Sequence, residues 1–325
     1  MRLLSFTVKP IAEANHILLL HSDSVNFIEL AEGKKQILSS ISMEGIAEYI
    51  KDKAKNIIVM CGAGISTSAG VPDFRTPGTG LYDNLAEYNL PYPMAVFDLE
   101  FFKTKPEPFF LLAKKLFTKS LKPTYCHYFI RLLHEKGLLL RLFTQNIDLL
   151  ENVAGISADK VVTAHGSHCT STCLSCGQKY DLKWISDKIY DEKCVVAYCD
   201  KCHGIVKPDI DFPKCDLLLI MGTSLTVHPF ASLVHEVGND VPRLLINLTE
   251  AGKQDASLNM MYSFGYRLAY GEDGNYRDVF WKGTCDDGVK RLAELLNWKD
   301  ELYSLVEKEW KKINEENTKH AEAKK

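Results

Sequence analysis

A chain of 325 residues with 46% hydrophobic content can bury a core large enough for two domains, or for one domain carrying an insertion. Its formal charge of -3 gives no basic footprint, which argues against binding nucleic acid through a bulk phosphate field. The start, Met1 to Pro10, lacks the apolar stretch of a signal peptide, and runs such as Leu138–Leu140 and Asp216–Met221 are too short to span a bilayer, so the ten cysteines read as thiols of a reducing compartment, cytoplasm or nucleus.

Residues 1-40 show no clean period and are read as an N-terminal extension. A helical spacing of apolar residues begins at Met43-Glu44-Gly45-Ile46 and runs to Ile50, and Asn56–Cys61 follows as a short apolar run suited to a strand buried on both faces. Helical patterns at Phe109–Phe117 and Thr124–His134 lead into a strand at Leu138–Phe143. A helix at Ile147–Ala154 then leads into a strand at Lys160–Ala164. Beyond the cysteine-rich segment come the strand Asp216–Met221, the helix Pro229–Val237, the strand Arg243–Leu248 and the helix Asp286–Leu296. This alternation predicts an α/β fold built on a doubly wound parallel sheet, interrupted by a small module at 166-208 and closed by a charged tail at 301-325.

Three groups of residues carry chemistry. The first apolar run ends in Gly62-Ala63-Gly64-Ile65-Ser66, a strand-to-helix loop whose free amides suit a diphosphate and whose glycines let a ligand approach the backbone. Neither a third glycine at the dehydrogenase spacing nor a second strand follows closely, which disfavours hydride transfer. The second group is Cys173-x-x-Cys176 and Cys199-x-x-Cys202, two knuckles with 22 residues between them. Four thiolates in this pattern predict a structural Zn2+ with no open position for chemistry. The third is a set of polar residues at strand ends, where ligands bind in such sheets: Gln145-Asn146-Ile147-Asp148, His165-Gly166, Gly222-Thr223-Ser224 and Asn247. His165, freed by the following glycine, is the candidate general base, while His127, His134 and His235 read as helical packing residues. Cys61, Cys126 and Cys215 read as small core residues, and Cys169 and Cys194 as bystanders to the knuckles.

Gly62-Ala63-Gly64-Ile65-Ser66, Val71-Pro72-Asp73-Phe74-Arg75, Thr144-Gln145-Asn146-Ile147-Asp148, His165-Gly166, the cysteine pairs and Gly222-Thr223-Ser224-Leu225, in this order, resemble the sirtuin family of NAD-dependent protein deacylases. The similarity runs from about residue 40 to 300, and Gly80 to Leu85 with Leu90-Pro91-Tyr92-Pro93 resembles the branch that includes the cytoplasmic tubulin deacetylase. The resemblance implies a Rossmann-like NAD-binding domain at 41-165 and 209-300 with an inserted zinc module. It implies that Ala63 to Thr67 and Asp73, Phe74 and Arg75 contact NAD, that Gln145, Asn146 and Asp148 hold the ribose and carboxamide, and that Thr223, Ser224, Asn247 and Cys285 line the adenosine half. His165 would activate a ribose hydroxyl, and the products would be nicotinamide, free lysine and an acylated ADP-ribose. The implied partners are acetylated protein lysines, as in histone or tubulin tails, with no direct nucleic acid and no membrane.

Two departures stand out. Asn247 is followed by Leu248-Thr249 rather than Lys-Glu, and after Val206-Lys207-Pro208-Asp209-Ile210 a strand and helix of the family pattern are missing, so that the chain passes directly through Asp211 to Lys214 into Cys215-Asp216-Leu217. The missing stretch would supply one edge that clamps the substrate peptide, and its loss predicts weakened turnover with zinc and much of the NAD site intact. Two rival readings stand beside the deacetylase: an ADP-ribosyltransferase or long-chain deacylase on the same scaffold, and a catalytically poor NAD- and zinc-binding interaction protein.

Overall fold

The computed structural model describes residues 35–72, 90–91, 95, 99–108, 110, 121–163, 170–173, 175–189, 196–208, 212–227, 230–253 and 267–323. The expected helix at 109–117 falls almost wholly outside them, as do Asp73, Phe74, Arg75, His165, Cys169 and Cys194.

The expected parallel sheet is present. Strands β1 (Ile57–Cys61), β2 (Leu139–Thr144), β3 (Val161–Thr163), β7 (Leu217–Met221), β8 (Arg243–Asn247) and β9 (Asp278–Lys282) form six parallel strands in the order β3-β2-β1-β7-β8-β9. β1 and β7 are buried along their whole length, as a central pair covered on both faces must be. Period-two alternation deals their side chains to two cores. Ile57, Val59, Leu217, Leu219, Leu244 and Ile246 face one layer, and Ile58, Met60, Leu218, Ile220, Leu245 and Phe143 face the other.

The first layer consists of α1 (Met43–Asp52), α3 (Tyr125–Glu135), α6 (Cys285–Leu295) and the start of α7 (Lys299–Ala323). Ser42 caps α1 by accepting the Gly45 amide, and Thr284 caps α6 by accepting the Asp287 amide. The second layer holds the 3-10 turn Phe230–His235, where a longer helix was expected. The expected helix at 147–154 is likewise shorter: α4 spans Leu150–Val153, because Leu149 sits in the left-handed region at φ 61° and starts it late. A short α2 (Leu99–Thr104) lies between β1 and α3 in sequence. No described helix is long and apolar enough to cross a membrane.

β9 has no counterpart in the sequence reading. Its apolar run is only Val279–Trp281, too short to register, and what fixes it is a buried ion pair: Arg243 of β8 donates through Nε and Nη2 to both carboxylate oxygens of Asp278 at 2.7 and 2.6 Å. Arg243 also donates to the Val234 and Arg267 carbonyls, so the pair pins the sheet to the second layer.

The inserted module is a three-stranded antiparallel sheet in the order β5-β4-β6, made of β4 (Thr170–Cys173), β5 (Lys179–Asp181) and β6 (Val206–Pro208), with α5 (Leu182–Ile189) beside it. Its core is Cys173, Ile185, Cys199 and Val206, too small to stand on apolar burial alone. The return to the main sheet is short. From Pro208 to Leu217 the chain stacks Phe212 on Phe143 with ring centroids 4.9 Å apart, and Asp216 accepts the Lys55 and Asn56 amides in front of β1.

Candidate active site and metal centre

The register aligns the carboxyl ends of the central strands: Cys61 lies beside Thr144 on one flank and Met221 on the other. The loops that follow therefore meet at one rim. A Cβ on Gly64 would lie 2.6 Å from the Gly222 Cα, and one on Gly62 would lie 2.8 Å from the Gly222 carbonyl oxygen and 2.9 Å from Gln145 Oε1. Gly222 is itself at φ 62°. The glycines thus also let two loops touch.

The glycine loop also departs from the expected helix. It passes into two 3-10 turns, Ala63–Ile65 and Thr67–Ala69, because its amides are spent internally: Gly62 on Met221, Gly64 on Gly222, Ile65 on Gly62 and Ser66 on Ala63. From below, Thr124 Oγ1 donates to the Ile65 carbonyl at 2.8 Å, and Asp286 accepts from the Ser68 hydroxyl and the Cys126 amide.

The loop after β2 faces this floor. Asn146 donates through Nδ2 to the Gly62 carbonyl at 3.3 Å and to Ser66 Oγ at 3.2 Å, while its own amide donates to Thr144 Oγ1 at 3.0 Å. Its side-chain oxygen remains to accept from a ligand. Gln145 Oε1 accepts from the Thr223 hydroxyl at 2.9 Å, which leaves its amide nitrogen as donor at the rim. Asp148 Oδ1 accepts the Leu150 amide and so begins α4. Ile147, between them, is 69% exposed, an apolar surface on which a flat ring can lie. Asn247 donates to the Thr223 and Thr249 carbonyls, and Thr223 is buried while Ser224 is exposed. Cys285 is buried at the start of α6 with its thiol against the Ile246 carbonyl, behind β8 rather than open at the rim. The structure thus brings together Gly62 to Thr67, Gln145 to Asp148, Gly222 to Ser224 and Asn247. Their donors, acceptors and exposed apolar face gather at one rim, the place where parallel sheets of this kind bind ligands.

Sequence reasoning missed a second layer behind the rim. His127 and Glu151, read as helix packing or not singled out, are buried at 0% and 2% exposure, and together with Asp148 they bring ligand-type atoms within 4.8 Å of one another. The only signal was Thr124-x-x-His127 at a helix start, where the structure forms a reciprocal cap.

In the module the four predicted sulfurs converge. Cys173, Cys176, Cys199 and Cys202 lie within 4.8 Å of one another, with Cys173 Sγ 3.4 Å from Cys202 Sγ and Cys176 Sγ 3.7 Å from Cys199 Sγ. Tetrahedral zinc with bonds of about 2.3 Å places sulfurs roughly 3.8 Å apart, so the donor set and its spacing fit this ion. Each knuckle turns back through a left-handed residue four places after its first cysteine, Gly177 at φ 71° and His203 at φ 55°. Hydrogen bonds support thiolate at Cys199. Burial works against the Cys199 charge, but the Tyr180 hydroxyl at 3.1 Å and the backbone amides of Cys202 and Lys201 outweigh it and bring its pKa down to about 6. Cys61 and Cys126 are core residues as expected, and burial followed by the Asp216 charge pushes the half-buried Cys215 up to about 12.

A parallel nucleotide-type sheet with its polar rim and an inserted four-thiolate module defines a class of metal-stapled α/β proteins with a ligand site at the strand ends. Comparison with known proteins narrows this. The Sir2 family profile matches residues 62–213. The chain is 48% identical over 310 residues to a protein of Danio rerio named NAD-dependent protein deacetylase sirtuin-2, across 89% of this chain and 81% of that one. It is 43% identical over 290 residues to the Mus musculus NAD-dependent protein deacetylase sirtuin-3 (84% and 81%), and 41% over 300 residues to the Schizosaccharomyces pombe NAD-dependent protein deacetylase hst2 (87% and 84%). The chain belongs to the Sir2 family.

Proposed function

We propose that this chain removes acetyl groups from lysine side chains of proteins in a reaction that consumes NAD. The observation that carries the reading is the convergence of three hydrogen-bonded strand-end loops on one rim, in a chain that aligns with NAD-dependent protein deacetylases over most of its length. NAD, when bound, supplies a sugar carbon from which nicotinamide departs. The protein's part is positioning. Asn146 is held by Gly62 and Ser66 to present its oxygen, Gln145 presents its amide, and Asp148 keeps a carboxylate at the same edge. Thr223, Ser224 and Asn247 serve the adenosine half, with Asp73, Phe74 and Arg75, outside the described residues, on the nicotinamide side. Cys285, buried behind β8, contributes packing there. His165, also outside them, is the proposed base, and Zn2+ on the four cysteines holds the module without entering the chemistry. Acetylated histone or tubulin tails are the proposed substrates, and the cytoplasm the main compartment.

The test is nicotinamide release from NAD by purified protein with an acetyl-lysine peptide. Release is expected only when peptide and NAD are both present, and His165→Ala is expected to lower it by about a hundredfold or more, the scale of a lost general base. Peptide-independent release, or an undiminished rate in the variant, would refute the assignment.

The short β6–β7 connection supports a second reading, a protein that binds NAD and zinc but turns over poorly. The family match ends at residue 213, inside this connection, and the alignment with the Danio rerio protein is longer than the share of this chain it takes in, so the relative carries residues with no counterpart here. Tight NAD binding with peptide-stimulated release near background would favour this second reading.

A further inference from the structure

Behind the 145–148 loop, the first turn of α3 meets the start of α4. Here His127 Nε2 and Glu151 Oε1 make no hydrogen bond, although both side chains are buried, and a ring nitrogen of His127, a carboxylate oxygen of Glu151 and one of Asp148 lie within 4.8 Å of one another. Buried polar atoms without partners are rare and costly, so two in one such cluster, with a third acceptor beside them, call for an occupant. We infer that His127, Glu151 and Asp148 enclose one bound water molecule, and that Glu151 thereby acts as a positioning residue for the loop that faces the cofactor. This rests on the proposed deacetylase reading.

The connections run both ways from that point. On one side the Glu151 carboxyl hydrogen-bonds the Thr144 side chain; Thr144 Oγ1 accepts the Asn146 amide, and Asn146 donates to Gly62 and Ser66. On the other, His127 Nδ1 accepts the Thr124 amide at 3.2 Å, and the Thr124 hydroxyl donates to the Ile65 carbonyl. With the water in place the chain of hydrogen bonds closes into a ring that begins at Ile65 and ends at its neighbour Ser66, in the floor of the cofactor rim.

Water fits this point better than a metal ion. Three polar partners are what an internal water uses, and it can donate to a bare Nε2 or accept from a protonated one. Burial holds His127 near a pKa of about 3 and so neutral; burial first, and the Asp148 charge with it, raises Glu151 despite the Thr144 hydrogen bond. A dication would need the Glu151 carboxyl ionised, which its burial disfavours.

Two measurements test the inference. A high-resolution crystal structure of the chain is expected to show a single water within hydrogen-bond reach of all three atoms; a dry site, or a metal found there by anomalous scattering, overturns it. In parallel, Glu151→Leu and Glu151→Gln are compared with the parent for melting temperature and for NAD-dependent deacetylation of an acetyl-lysine peptide. Glu151→Gln keeps a hydrogen-bonding group and is expected to stay within about threefold of the parent kcat, whereas Glu151→Leu is expected to lose about tenfold or more in kcat with peptide KM within about twofold. A structural role alone would make any loss follow the melting temperature. Parent-like kcat in Glu151→Leu, or a Glu151→Gln variant that melts like the parent yet is as slow as Glu151→Leu, refutes the positioning role. An inactive parent would speak against the deacetylase reading instead, and the density would still decide whether the water is there.

Discussion

His127 shows why single residues were harder to read than patterns. Its place in the apolar period of Tyr125–Glu135 accounts for it fully as a packing residue, and only its contacts reveal otherwise. Its folded pKa of about 3, set by burial, lies below the ordinary value of about 6.5, so the unfolded chain takes up the proton first. The stability tied to its neutral form is therefore complete above about pH 6.5 and is lost as pH falls toward 3, with a slope of up to about 1.4 kcal/mol per pH unit. Denaturant midpoints of the parent and His127→Gln, taken from neutral to acid pH, should converge as pH falls through this window; a constant gap would show that the ring is not held neutral. The strand-end residues Gln145, Asn146, Thr223 and Asn247 were legible because polar side chains at the ends of apolar runs break a pattern. Cys285 was named by resemblance alone, and its thiol is buried against the Ile246 carbonyl.

At the level of elements, β1, β2, β7 and β8 were legible within a residue or two, because a strand buried on both faces spells itself as an unbroken apolar run. β9 was not, since its apolar run is only three residues and a buried ion pair helps to hold it. Asp278→Ala leaves the Arg243 guanidinium buried without its partner and should cost about 3–5 kcal/mol, read as a lower denaturant midpoint; a cost under about 1 kcal/mol would mean the pair is dispensable. The module is the opposite case: its cysteines were plain, while its short strands, three or four residues each, carry almost no signal of their own. Its order should hang on the metal. Chelation is expected to abolish the near-ultraviolet signature of Tyr180 stacked on Trp184, 3.8 Å apart, while the far-ultraviolet signal of the main sheet persists. Concerted loss of both would show that the two parts melt as one.

For the molecule as a whole, apolar runs marked the sheet, its interruption and the rim, whereas the stretch expected after Ile210 rests on a resemblance alone. Phe212 and Asp216 tie the approach to β7 to Phe143 and to the amides before β1. Inserting a family-like segment between Ile210 and Asp211 should therefore raise turnover with acetyl-lysine peptide while leaving NAD affinity within about twofold; full activity in the parent, with no gain on insertion, would show that the stretch is not needed.

The order of the strands has a further consequence. Ile57 is paired with Leu217, so the central seam joins segments separated by the whole of β2, β3 and the metal module. A nascent chain leaves the growing sheet at its margin, completes the thiolate excursion, and only then returns to zip its middle. Whatever delays ion capture during synthesis thus leaves β1, buried along its whole length in the folded protein, waiting without its neighbour, and scarcity of the metal would be felt as slow, aggregation-prone maturation well before it is felt in the finished enzyme.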